Sequence, residues 1–346
     1  MRSSRLQPAS RKSPRRLAAE RKTIAQGCGP RLRHEKLEPR QLLAGDFGLS
    51  QSYYPDAIGP QTNSAFGDVV AVNAQYRVVS APLTNIDGFN SVGEVYVYDN
   101  NADGDLVATL KNPGSPGDYF GQSLAIDGST VAVGASRDST GASDSGVVYL
   151  YDLASGPTPS PITIVNPTPS ASDRFGENIA MQDGVLVVGV RSDDTAGADS
   201  GAVYLYDLSD GDTSVDATLT NNGSHLFGTS IALDNDVLAV GSLLDGLDPE
   251  QPFDQQDTGA AYIYSTAEFR ANGSSPSFVA SLRHPDADPD DGIGQKSGGL
   301  VRLSEGRLFV NAVSLSPTAP TSAVLNVYAL SDITASSPGD GLLGTL

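Results

Sequence analysis

Three stretches of this chain place acids, hydroxyls and glycines in matching order: SRDSTGASDSG at 136–146, RSDDTAGADSG at 191–201 and SLLDGLDPEQPFDQQDTG at 242–259. Their carboxylates include Asp138, Asp144, Asp193, Asp194, Asp199 and Asp257. Acids clustered on short polar segments attract a cationic partner or a cation-bridged polysaccharide. Each stretch precedes the same kind of aromatic strand, so the three loops gather at equivalent strand ends on one face. Loops held together on a rigid scaffold form contact surfaces. The plainer reading of the same residues is a set of solvated turns.

Other chemistry is less well supplied. DNNADGD, with Asp99, Asn101, Asp103 and Asp105, follows the start of a calcium loop, but Leu110 stands where a bidentate Glu would complete the ligand set. A turn between two strands accounts for it equally, so the metal assignment stays open and no other cofactor is expected. DADPDDG at 286–292 is acidic without a ligand order. Asp257 opens DTGA, the tripeptide start of aspartic proteases, yet DSGV at Asp144 and DSGA at Asp199 hold the same place. A turn that recurs is architecture first. His34, His225 and His284 have no spacing that makes a triad or a metal pair. The chain therefore reads as non-catalytic. The alternative is a polysaccharide hydrolase whose two carboxylates hide among the 38 acids after residue 40.

Charge divides the chain. Residues 1–40 carry 12 Lys or Arg and 3 acids, whereas the remainder carries 10 and 38. So acidic a body repels phosphate backbones, which excludes nucleic acid as a partner. The single cysteine, Cys28, rules out an internal disulfide. No apolar run reaches the length of a membrane span, and the sequence does not fix an oligomeric state.

The basic arm, residues 1–46, is rich in charge and interrupted by Pro and Gly, and reads as mostly disordered. Within it LEPRQLLAGD, Leu37 to Asp46, resembles the Leu-Glu-Pro-Arg-x-Leu-Leu motif near the N-terminus of exported planctomycete surface proteins. That resemblance implies a bacterial protein exported to the cell surface or beyond.

Residues 47–346 must position the loops, and they do so by repetition. Phe66-Gly67, Phe120-Gly121, Phe175-Gly176, Phe227-Gly228 and a degenerate Ile293-Gly294 open five copies, near 66, 120, 175, 227 and 293. A period close to 50 residues marks a propeller or an array. Each copy offers four short strands bounded by Gly, Asp, Asn or Pro, the third reading GEVYVYD, GVVYLYD, GAVYLYD, GAAYIYS and AVLNVYA. In VVYLY, Val147, Tyr149 and Tyr151 point one way and Val148 and Leu150 the other, so both faces need cover. An all-β propeller of four-stranded blades meets that need at every position. No segment beyond the arm shows a helical period.

The order Phe-Gly, strand, Val-Gly-Ala, then Gly-x-Val-Tyr-x-Tyr resembles the FG-GAP repeat, which builds the seven-bladed head of integrin α chains and occurs in many bacterial surface proteins. The resemblance implies adhesion or attachment to an extracellular protein or polysaccharide. Its calcium loops lie between the first and second strands, where this chain has only DGS, QDG or DND. Five blades are expected, because twenty strands close without remainder; a fragment or divergent relative of a seven-bladed protein is the alternative. A structural module of a surface layer is a further functional alternative.

Overall fold

The computed structural model describes residues 64–101, 105–221, 224–245, 259–282, 295–314, 322–333 and 342–345. Among the described residues twenty strands form five antiparallel sheets of four, each built from consecutive strands, and the fold is an all-β propeller. The first sheet contains β1 (Val70–Val72), β2 (Tyr76–Ala81), β3 (Glu94–Asp99) and β4 (Leu106–Lys111). The second contains β5 (Ser123–Asp127), β6 (Thr130–Ala135), β7 (Val147–Asp152) and β8 (Ile162–Val165). The third contains β9 (Asn178–Gln182), β10 (Val185–Val190), β11 (Ala202–Asp207) and β12 (Ala217–Thr220). The fourth contains β13 (Ser224–Asp234), β14 (Val237–Asp245), β15 (Ala260–Ser265) and β16 (Ser277–Leu282). The fifth contains β17 (Gln295–Ser304), β18 (Arg307–Ser314), β19 (Ser322–Ala329) and β20 (Leu342–Thr345).

In the second to fifth sheets the first hairpin is tight and its turn places at least one residue at positive φ. Gln182 pairs with Val185 across Asp183 (φ 52°) and Gly184 (φ 77°), the two-residue geometry that suits the strand twist. The third strands of the first four sheets bury both faces, as the alternation of VVYLY demands. Val147, Tyr149 and Tyr151 join a core shared with the first sheet, whereas Val148 and Leu150 join one shared with the third. Two further cores link the third sheet to the fourth and the fourth to the fifth.

The repeated phenylalanines are wedges in these cores. Phe120, Phe175 and Phe227 are fully buried. Each packs against the two tyrosines of its own third strand at ring-centroid distances of 5.5–6.4 Å. The glycine that opens a third strand exists for the next sheet's wedge. Gly146 has φ 83°, and any side chain on it would run into the backbone of Phe175, which donates its N–H to the Ser145 carbonyl at 2.8 Å. Gly201 has the same relation to Phe227. The Phe-Gly of one copy and the Ser-Gly of the copy before it are therefore two halves of one joint.

One expectation is corrected. A short helix, α1 (Ala267–Asn272), lies between β15 and β16, although the sequence shows no helical period there. A single buried residue, Phe269, anchors it, and Gly273 ends it in the left-handed conformation. Six residues are too few to display a 3.6-residue repeat. The basic arm with its Leu37–Asp46 motif, and Ile293-Gly294, lie outside the described residues.

Candidate functional site

Just beyond β6, Asp138 turns inward. It is 4% exposed; one carboxylate oxygen, Oδ1, accepts the Thr140 N–H at 2.8 Å, and Oδ2 accepts the Tyr149 hydroxyl at 2.9 Å. Just beyond β10, Asp193 repeats the arrangement. It is fully buried, with Oδ1 on the Thr195 N–H at 2.8 Å and Oδ2 on the Tyr204 hydroxyl at 2.6 Å. Burial and the Asp193 bond push the Tyr204 hydroxyl up to about 12; burial and the Asp138 bond push Tyr149 the same way. In the first sheet Tyr96 donates instead to Glu94, at 2.6 Å on the same strand.

The remaining loop aspartates play other parts. Asp144 and Asp199 take left-handed conformations, with φ 50° and 48°. Their carbonyls accept the N–H groups of Arg174 and Leu226, which belong to the next sheet. Asp144 is half-buried and Asp199 exposed. Exposed Asp194 accepts the Asp199 N–H at 2.9 Å. Asp257 lies outside the described residues, as do Asp103, His34 and His284. Of the metal candidates, Asp99 accepts the Asn101 N–H at 2.7 Å, and its own N–H reaches the Asp105 carbonyl at 3.0 Å, which makes a turn between β3 and β4. Among the described residues no three acids, histidines or cysteines come together as a metal-binding group.

A second acid completes each cluster. Asp118, in the segment between β4 and β5, accepts the Ser115 N–H at 2.5 Å and lies beside Asn112. Asp173, between β8 and β9, accepts the Ser170 N–H at 2.6 Å and the Asn166 amide at 2.8 Å. Asp118 is pushed up to about 6, first by burial and then by the neighbouring Asp138 charge. Asp173 is raised chiefly by burial, and its Oδ1 has no hydrogen-bond partner among the described residues. Sequence reasoning passed over these residues. The signal was present: Asn-Pro at 112 and 166, followed by an Asp two places before the Phe of each Phe-Gly.

The two clusters differ at their centre. In the third sheet Thr168 places its hydroxyl between Asp193 Oδ2, at 3.1 Å, and the Tyr204 hydroxyl, at 2.7 Å. The second sheet has Gly114 at that place. One bond from its Cα, where a side chain would begin, lies a point 2.5 Å from Asp118 Oδ2, 2.7 Å from Asp138 Oδ2 and 3.0 Å from the Tyr149 hydroxyl. The two carboxylates thus face each other across no more than about 5 Å. They open on a cavity of about 670 Å³, whose wall also includes Arg137, Asp144 and Thr163. That volume falls in the range of small-molecule pockets.

No curated protein matches the chain. Among solved structures it is similar to the β-propeller domain of the Trilobed protease from Pyrococcus furiosus, at 9% identity over 75% of this chain and 81% of that one, with a TM-score of 0.39. It is also similar to the Neurospora crassa Pan2 WD40 domain, at 8% identity over 81% of this chain and 80% of that one, with a TM-score of 0.41. The family model described as FG-GAP repeat matches residues 110–151, 163–206 and 221–264, which include the third strands of the second, third and fourth sheets. The chain carries FG-GAP repeats at these three positions, built into a β-propeller of five four-stranded sheets.

Proposed function

We propose that this chain is a non-catalytic binding protein of the bacterial cell exterior, attaching to an extracellular polysaccharide or protein through the loops that follow β6 and β10. The observation that carries the reading is the cavity at the end of the second sheet, open at the loop face and lined by carboxylates and hydroxyls on a rigid β frame. The outer acids Asp144, Asp194 and Asp199 surround the loop ends as a polar rim. Export rests on the resemblance of Leu37–Asp46. Among the described residues no helix is long and apolar enough to cross a membrane.

A hydrolytic reading has one observation in its favour, the facing carboxylates of Asp118 and Asp138, since retaining glycosidases hold theirs about 5–5.5 Å apart. Recurrence weighs against it. Asp173 and Asp193 repeat the pair in the third sheet, where Thr168 fills the centre. A pair copied into the third sheet, where a threonine hydroxyl occupies its centre, serves the loop's folding. The test is a binding screen of the full chain against extracellular polysaccharides and surface proteins. Saturable binding that weakens at least tenfold in an Asp144→Asn/Asp194→Asn/Asp199→Asn variant supports the reading. Absence of any binding, or release of reducing sugar by the wild type, overturns it.

A further inference from the structure

We propose that the second-sheet cavity reads a hydroxyl group: a neutral polyol or saccharide supplies to Asp138 and Tyr149 what Thr168 supplies to Asp193 and Tyr204. The inference rests on the binding role proposed for the loop face, and it names the ligand class and the residues. The molecule contains its own reference compound. In the third sheet the acid–tyrosine pair has a third oxygen, the Thr168 hydroxyl, within 3.1 Å of the acid and 2.7 Å of the phenol. In the second sheet the acid–tyrosine pair keeps the same bond, at 2.9 Å, but Gly114 brings no hydroxyl. The loop differs accordingly. NPGSPGD, at 112–118, is one residue shorter than NPTPSASD, at 166–173, and the cavity lies where it passes the acid–tyrosine pair.

The charges around the cavity choose between ligand classes. Asp138 Oδ2 accepts, so the ligand must donate a proton to it. Anions are opposed by Asp118, Asp138 and Asp144. An ammonium group would donate as well, and the three acids outweigh Arg137 in its favour, but it has no lone pair with which to accept from a neighbouring hydroxyl. A hydroxyl donates to the acid and still accepts from a neighbour, as Thr168 does. Thr140, Ser139 and Thr163 on the wall offer further hydroxyls to a ligand that carries several of its own.

Two reciprocal loop exchanges in the full chain test this. One replaces residues 112–118 by NPTPSASD; the other replaces residues 166–173 by NPGSPGD. Both segments are native to this fold at equivalent places, so both variants are expected to keep the wild-type circular dichroism and cooperative melting. Binding of neutral monosaccharides, their alditols and matched aminoalkanes is followed by ligand-observed NMR and calorimetry. The wild type is expected to bind a neutral saccharide or alditol at one site. The first exchange is expected to weaken that binding at least tenfold, and the second to raise the stoichiometry to two. Binding unchanged by the first exchange, preference for the amines, or no binding of any neutral probe overturns the inference. Polysaccharide or protein capture that survives the first exchange while small probes fail would leave the loop face in place and remove only the cavity. If the first exchange fails to fold, Tyr149→Phe, expected to weaken saccharide binding severalfold without affecting amine binding, decides the matter.

Discussion

The second and third sheets are near copies, and the ways they differ separate what the repeat needs for folding from what one copy has free. Shared are the phenylalanine wedge, the glycine of the joint, the inward aspartate, its tyrosine and the Asn–Asp pair of the incoming loop. Different are the centre of the acid cluster, Gly114 against Thr168, and a polar pair on the first strand pair. Parts that recur in both sheets, one with Gly114 and one with Thr168 at the centre of its cluster, are held by the demands of the fold. Only the unshared parts can distinguish the second sheet's loop end as a site.

The largest effect is expected where the sheets agree. Gly146→Ala and Gly201→Ala each force a left-handed alanine and set its Cβ against the backbone of Phe175 or Phe227. Each is expected to cost roughly 3–5 kcal/mol in denaturant unfolding, and the two costs should match within about 1 kcal/mol. An alanine tolerated at either position would break the claim that Phe-Gly and Ser-Gly form one joint.

That joint explains how far the sequence could be read. The wedge was legible because Phe120, Phe175 and Phe227 recur at nearly fixed intervals, and the two-faced packing of VVYLY because strand alternation is a local rule. The inward turn of Asp138 and Asp193 was not, since a polar residue in a polar loop looks solvated until its partner is known. Here the partner lies eleven residues away, at Tyr149 and at Tyr204, a spacing that repeats and could have been noticed. The carboxyls of Asp118 and Asp173 were harder still, because their burial depends on a loop from one strand pair folding over a loop from another. Helix α1 left no trace, being shorter than two turns.

The next effect concerns charge. Asp118 is raised to about 6 in the folded protein, well above an unfolded carboxyl, so the folded state holds the proton more tightly. Stability therefore falls as pH rises from the ordinary carboxylate range through about 6, and ionised Asp118 is a cost above that window. Asp118→Asn removes the cost, and its amide oxygen still accepts from Ser115. The variant is expected to gain about 1–3 kcal/mol at pH 7.5 and little at pH 4.5, seen as a smaller pH dependence of the melting midpoint. Asp173→Asn should act in the same direction. A loss of stability at pH 7.5 would show that the Asp118 charge is used rather than merely endured.

Thr168→Val probes the centre of the closed cluster. It keeps the shape and removes the hydroxyl, so Asp193 Oδ2 is left with Tyr204 alone, the state of Asp138 in the second sheet. A cost of about 1 kcal/mol is expected. A neutral outcome would mean that the third oxygen contributes nothing to the acid–tyrosine pair, which would weaken the case that the second sheet has room for one.

The smallest effect lies in a pair of positions that change together. In the second sheet Gln122 accepts a hydrogen bond from Ser136; in the third, Glu177 and Arg191 hold the same two places as an ion pair at 2.9 Å. Both partners are partly exposed, 31% for Arg191 and 20% for Glu177, so water and salt screen the attraction. Arg191→Ser alone leaves Glu177 with Arg174 at 3.9 Å. Converting both positions to the second-sheet pair, Glu177→Gln with Arg191→Ser, is expected to change stability by less than about 0.5 kcal/mol, with a coupling of about 0.2–1 kcal/mol between the single variants that fades at high salt. A neutral pair and an ion pair would then be interchangeable on this frame. A double variant as damaged as Arg191→Ser alone would instead tie the charge to the loop face above it, and would make the third sheet more than a filled copy of the second.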